Sequence, residues 1–295
     1  MSAPRVSVII ATYNRSAVLR HAIASVLAQT YDDFELLVVG DGCTDDSASV
    51  VAGFADPRVR WLNLAANSGH QSAPNNEGLR QARGELIAYL GHDDLWLPHH
   101  LEARVAAIDT GADLAAGLTE IVGAGERQFD IAPPRLTYHR GIWLPPTALM
   151  HRRAIIDRIG EWRDYRELRI DPEADLIQRA IAAGFKLAIL PRLTAVKFPA
   201  AMRRNVYRSS DDSEQASWLA RIASEPDIER HEMIRLIYAG KHGQMPRSYR
   251  QLWLDLGRGT LSVIRARMQR LRNHLAGPGA KIDAARRRKG LQPRP

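Results

Sequence analysis

One feature constrains this chain more than any other: an alternation running through its first 110 residues. Short β-branched, apolar runs at Arg5–Thr12 (RVSVIIAT), Phe34–Val39, Val59–Leu64 and Leu86–Leu90 are separated by stretches with helically spaced apolar positions. In the first such stretch Val18, Leu19, Ile23, Val26 and Leu27 recur at that spacing, with Ser16 as its expected N-cap. Runs this uniformly apolar suit strands buried on both faces, and strands alternating with helices mean βαβ units in a parallel sheet. Such a sheet binds its ligands beyond the carboxyl ends of its strands. Polar clusters stand at all four of those ends: Thr12-Tyr13-Asn14-Arg15, Gly40-Asp41-Gly42, Asn67-Ser68-Gly69-His70 and His92-Asp93-Asp94.

Beyond residue 110 the pattern loosens. An apolar stretch at Ala112–Val122 leads to a loop or hairpin at Gly123–Arg135. Next come a predicted strand at Ile142–Met150 and a short helix at Arg152–Ile159. Asp171-Pro172-Glu173 opens a helix at Ala174–Ala183, and Phe185–Leu190 reads as a further strand ending at Pro191. Residues 212–238 have the pattern of a packed helix pair, 246–275 that of an amphipathic, arginine-rich helix, and disorder is expected for 277–295.

Composition closes off several classes. The single cysteine, Cys43, permits no intrachain disulfide framework and no multi-cysteine zinc site. No run of apolar residues reaches the length of a membrane span, and no secretory leader is expected at the start. The net charge of +8 is uneven: residues 231–295 carry 15 Lys/Arg against 3 Asp/Glu, and residues 1–230 carry 26 against 30. A basic balance raises nucleic acid or anionic membrane as partners, but only for this last quarter. Its aromatics there are few (Tyr249 and Trp253 among them), a poor basis for stacking on bases, so no nucleic acid is expected. In 246–275 the set Leu252, Leu256, Leu261, Ile264, Met268, Leu271 and Leu275 opposes arginines, a pattern that suits peripheral membrane contact and equally docking on the protein or on a second copy.

Three acidic clusters carry chemical meaning. Adjacent Asp93 and Asp94 at a strand end suit a hard divalent cation that also holds phosphate oxygens; Asp94 equally suits a helix cap. Asp41 between two glycines can accept from a base N–H or simply organise a turn. Asp171, Glu173 and Asp175 crowd one helix start, where the dipole favours ionised acids and one can serve as general base. His70, His99 and His100 are left unassigned, and His151-Arg152-Arg153 reads as a solvated helix start.

Taken in order, VSVIIATYNR, LLVVGDGCTDDS, the segment from Asn67 to Glu102 and the segment from Pro146 to Phe185 resemble the family 2 glycosyltransferases over roughly residues 5–200. The resemblance implies the GT-A fold, a Rossmann-like α/β arrangement of a mostly parallel sheet with helices on both faces, here with a C-terminal helical extension. It implies a catalytic domain over 1–205 (nucleotide half 1–110, acceptor half 111–205), an extension over 206–276 and a tail over 277–295. It also implies inverting transfer from a nucleoside diphosphate sugar, most often a UDP-sugar, to a carbohydrate or lipid-linked acceptor in cell-surface glycan synthesis. The expected setting is the cytoplasm at the inner face of the membrane, and the expected cofactor is Mg²⁺ or Mn²⁺. By position, Thr12, Tyr13, Arg15, Asp41, Asn76 and Asp93 would hold the donor, Asp93 with Asp94 the metal, and Glu173 with Asp175 the catalytic role. The sequence departs from the family at Gly40, at Gly91, where the family's motif begins with an acid, and at Asn75. The alternatives are an inactive nucleotide-sugar-binding homologue and a nucleotidyltransferase; the latter wants a glycine- and lysine-rich phosphate loop near the first strand, and none is present there.

Overall fold

The computed structural model describes residues 3–123, 127–129, 137–138, 143–203, 206–242, 277 and 279–291. The first half is built as the periodicity predicts. Strands β1 (Val6–Thr12), β2 (Phe34–Gly40), β3 (Val59–Asn63) and β4 (Leu86–Gly91) alternate with helices α1 (Ser16–Leu27), α2 (Ser47–Ala52) and α3 (Ser72–Gln81). They pair in parallel in the order β3-β2-β1-β4, so the sheet grows in opposite directions from β1. The ends of β1 and β4 flank that switch point, the place where open α/β sheets bind their ligands.

Both faces of this sheet are covered. Val6, Val8 and Ile10 of β1 pack with Leu19, Ile23 and Val26 of α1 and with Leu101 and Val105 of α4 (His100–Asp109). Ile9 belongs to the opposite face, with Leu79, Tyr89, Trp162 and Leu176. Gly78 of α3 presses so closely on that face that a Cβ would lie 2.6 Å from Ile9 Cγ2.

The second half extends the same sheet in mixed orientation. Strand β5 (Leu95–Trp96) precedes α4, and β6 (Leu114–Val122), β7 (Arg127–Phe129) and β8 (Met150–Arg152) follow it. Helices α5 (Ala154–Ile159) and α6 (Pro172–Ala182) come next, then β9 (Leu187–Lys197). The full order is β3-β2-β1-β4-β8-β6-β9-β5, with β7 beside β6. Antiparallel β8 joins the two parallel groups.

Two boundaries differ from the sequence reading. Most of the strand expected over 142–150 is absent among the described residues: Pro146–Ala148 forms a 3₁₀ turn, and only Met150–Arg152 pairs. Pro145 and Pro146 lack the N–H groups a ladder needs. Conversely, β9 does not stop at Pro191. Its register against β6 jumps from Gly117–Leu190 to Leu118–Leu193, a bulge that passes over Pro191 and carries the strand on to Lys197.

Helices α7 (Ser213–Ser224) and α8 (Ile228–His242) form the expected pair. The amphipathic pattern at 246–275 lies outside the described residues. Disorder is expected throughout 277–295, but Ala280–Arg288 is a helix, α9, held against the segment between α5 and α6. Gly279 N donates to Leu168 O at 3.1 Å and Tyr165 Oη to Asp283 Oδ1 at 3.1 Å.

Candidate active site

The loops at the strand ends are tied to one another. Asn14, at φ 45°, accepts on Oδ1 from Thr44 N at 2.8 Å. Asp45 Oδ2 accepts from Ser16 N at 3.1 Å, so an acid of the second loop satisfies the start of α1 and Ser16 is not its cap. Asp41, expected to accept from a base, is 4% exposed and holds the third loop: its oxygens accept from Ser68 N at 2.6 Å and Gly69 N at 3.0 Å.

Asn76, expected to meet the donor, forms a two-way clasp with Trp162, donating to its carbonyl at 2.8 Å and accepting from its N–H at 2.9 Å. Its neighbour Asn75 is 2% exposed, with Nδ2 unpartnered among the described residues. Thr12 Oγ1 is likewise buried and unpartnered there. A buried polar atom without a partner is costly, which sets these two apart from the engaged polar groups around them.

The two adjacent aspartates have separate roles. Asp94 is fully buried: Oδ1 accepts from Phe198 N at 3.0 Å, and Oδ2 accepts from Lys197 Nζ at 2.8 Å and from the Thr147 hydroxyl. An Asp94 engaged in this way anchors the end of β9 to the turn after β4. It also explains Gly91, where a Cβ would come within 2.5 Å of Asp94 Oδ2. The Asp93 carboxylate has no such set of donors among the described residues. Burial pushes its pKa up, but His92, Lys197, Arg15 and Lys289 outweigh that and hold it below the usual range.

Glu173, in the first turn of α6, is buried and accepts from Trp143 Nε1 at 2.9 Å. Burial, then the charge of Asp171, raises its pKa above the ordinary 4.5, which moves it toward the value a general base needs near neutrality. Asp175, expected beside it in catalysis, is instead paired with Arg179 Nε at 2.7 Å and Arg163 Nη1 at 3.5 Å. Arg179 in turn donates to the carbonyl of Glu161 at 2.9 Å, so Asp175 fixes the base of α6.

Two residues that sequence reasoning passed over complete the site. Lys197, at the end of β9, feels Asp94, Asp93 and Glu173; burial alone would strip its proton, and these acids hold its pKa above the usual 10.5. Tyr207 sits with ring centroids 6.2 Å from both Tyr13 and His92, beneath the Arg15 guanidinium at 5.6 Å. Arg15 also donates to Val206 O, so the segment after β9 closes over the end of β1. The only sequence signal for Tyr207 is an isolated aromatic among arginines.

Two of the histidines, His100 and His151, are core residues. His100 stacks on Trp96 with centroids 4.1 Å apart. His151 is 1% exposed, not part of a solvated helix start: Nδ1–H donates to Arg152 O at 2.8 Å, which leaves Nε2 to accept from Tyr89 Oη at 3.0 Å.

A β3-β2-β1-β4 sheet with an acid beyond β4 and a second acid at the start of α6 defines a protein of the GT-A class. Fold comparison agrees. Staphylococcus aureus TarS in complex with UDP-GlcNAc aligns with TM-score 0.57 at 21% identity, covering 77% of this chain and 69% of that one. A Pyrobaculum calidifontis mannosyltransferase in complex with GDP-Man and Mn²⁺ aligns with TM-score 0.56 at 16% identity, covering 98% and 88%. Residues 7–159 match the model of glycosyl transferase family 2, and the chain belongs to that family. It is 33% identical over 138 residues to the Escherichia coli UDP-Glc:α-D-GlcNAc-diphosphoundecaprenol β-1,3-glucosyltransferase WfgD, covering 46% of this chain and 54% of that protein. It is 31% identical over 209 residues to the succinoglycan biosynthesis protein ExoO of Rhizobium meliloti, covering 64% and 59%. The chain thus spans little more than half the length of these relatives.

Proposed function

We propose that this protein is an inverting glycosyltransferase that moves a sugar from a nucleoside diphosphate sugar to an acceptor hydroxyl. The observation that carries this reading is the contrast between two acids at the strand-end edge: Asp93, which lacks the donors that engage Asp94, and Glu173, buried at the start of α6 and held by Trp143. That arrangement separates a pole for the leaving diphosphate from a base for the acceptor.

Glu173 takes the proton from the attacking hydroxyl, and Trp143 keeps its carboxylate oriented through the 2.9 Å hydrogen bond. Lys197 and Arg15 stabilise the charge that grows on the departing diphosphate. The fit to a metal is to a single carboxylate: Asp94 is engaged, and among the described residues no group of three or more His, Cys, Asp or Glu side chains surrounds a common point. A magnesium-like ion shared between one carboxylate, substrate phosphates and water suits Asp93. Such an ion, when bound, neutralises charge on the phosphate oxygens.

The donor is proposed to be a UDP-sugar, in line with the ligand of the TarS complex and the donor in WfgD's name. The acceptor is proposed to be a lipid-linked glycan, met at the inner face of the membrane. No helix among the described residues is long and apolar enough to cross a membrane.

A panel of nucleotide sugars with Mn²⁺, read first by the rise in melting temperature and then by release of nucleoside diphosphate on adding acceptor, tests the reading. A donor that both stabilises the protein and is consumed supports it. A protein that no nucleotide sugar stabilises defeats it.

A further inference from the structure

We propose that helix α9 is a wall of the donor site and supplies two cations, Arg286 and Lys289, to the diphosphate of the bound nucleotide. The inference rests on the donor-site reading above.

The segment bearing α9 is basic enough to stay solvated, with Arg286, Arg287, Arg288 and Lys289 in succession. It is nonetheless pinned at both ends. Gly279 and Asp283 are held by Leu168 and Tyr165, and Arg286 Nη1 donates to Gly69 O in the loop after β3. The helix therefore spans from the acceptor-side segment to the loop that Asp41 holds.

Its four cations divide. Arg287 and Arg288 are exposed. Arg286 is 7% exposed, and its Nε is buried with no hydrogen-bond partner among the described residues. Lys289 is half-buried; burial pushes its proton off, Asp93 and Glu173 hold it on, and Lys197 and Arg286 oppose it. Arg15 and Lys197 already act on Asp93, and Lys197 already neutralises Asp94. Two more cations brought to that place repel those present unless an anion of more than one charge joins them.

A nucleoside diphosphate is such an anion. The arginine fork with a donor to spare matches a phosphate's paired oxygens, and lysine adds a point charge beside it.

Calorimetric binding of UDP, GDP and uridine to the full chain tests the proposal. Arg286→Gln and Lys289→Met retain most of each side chain's bulk. Each should weaken the tighter-bound of UDP and GDP about 10- to 100-fold and leave uridine binding unchanged. The double substitution Arg287→Gln/Arg288→Gln removes twice the charge of either single variant from the exposed side of the same helix and should change diphosphate affinity by less than about 3-fold. Unchanged diphosphate affinity in Arg286→Gln and Lys289→Met overturns the proposal and leaves the donor site standing. An equal loss in the exposed double variant also overturns it, since net charge then suffices. If Arg286→Gln melts early, Lys289→Met alone decides. A wild-type protein that binds neither diphosphate removes the donor-site reading and this inference with it.

Discussion

Lys197 Nζ lies 2.8 Å from Asp94 Oδ2, and this pair fastens the end of β9 to the turn that follows β4. Removing one member leaves the other charge buried, which costs about 3–5 kcal/mol. Asp94→Asn should therefore lower the urea midpoint sharply, whereas Asp93→Asn, one residue away and without hydrogen-bond donors of its own among the described residues, should lower it clearly less and abolish metal-dependent donor binding. Urea denaturation and donor calorimetry on both variants check the contrast; equal stability losses would show that the two acids share one role.

Glu173→Gln keeps the shape of the base and removes its proton affinity. Turnover should fall about 10²- to 10⁴-fold with donor affinity nearly unchanged. Because the raised pKa means the carboxylate is lost as pH falls through a value above 4.5, the wild-type rate should decline on that acidic side. Trp143→Phe deletes a donor to the ionised form, so its acidic limb should move to higher pH. A rate profile against pH for the three proteins measures both effects.

Restoring the family's missing acid should not help. In Gly91→Asp the new Cβ would meet Asp94 Oδ2 at 2.5 Å and place a second negative charge against it. We expect a loss of about 2–4 kcal/mol of stability and no gain in metal affinity, by thermal melting and metal titration. A tighter metal site in a stable variant would show that Asp94 can turn away from Lys197.

His151 is neutral in the fold, its pKa held at about 4 by burial against an ordinary 6.5. The folded value is depressed, so the stability it contributes is complete above about 6.5 and is lost as pH falls from there toward 4. The loss is on the order of 3 kcal/mol for this residue. Melting temperature against pH should show that slope. His151→Gln, which can still accept from Tyr89, should reduce it, the remainder belonging to His70, His92 and His100, whose values burial also depresses, while substitution of exposed His99 should leave it unchanged.

The parts of the fold made from local pattern were legible in the sequence. The β-branched runs VSVIIAT and FELLVVG could only be doubly covered strands, and their polar ends marked the crevice. Glu173 shared its helix start with Asp171 and Asp175, and only the family resemblance set it apart. What escaped reading depends on partners distant in sequence. Lys197 reaches the site because a bulge carries β9 past Pro191, and that bulge exists only against β6. The backbone partners of Asp41 and Asn76, at residues 68, 69 and 162, are likewise remote in sequence. Helix α9 looked like a solvated tail because part of what anchors it, the carbonyls of Leu168 and Gly69, belongs to backbone that every sequence has.

The pairing of β9 also bears on how the chain folds. This one strand must find Leu114–Ile121 of β6 and Leu95–Trp96 of β5, closing loops of about 70 to 100 residues before either ladder forms. Such distant pairings are slow compared with the local β1-α1-β2 unit. In refolding from urea, helical signal should thus recover in an early phase and nucleotide affinity in a late one, because the ammonium of Lys197 arrives only when its strand docks. Catalytic competence is then the last property this protein acquires.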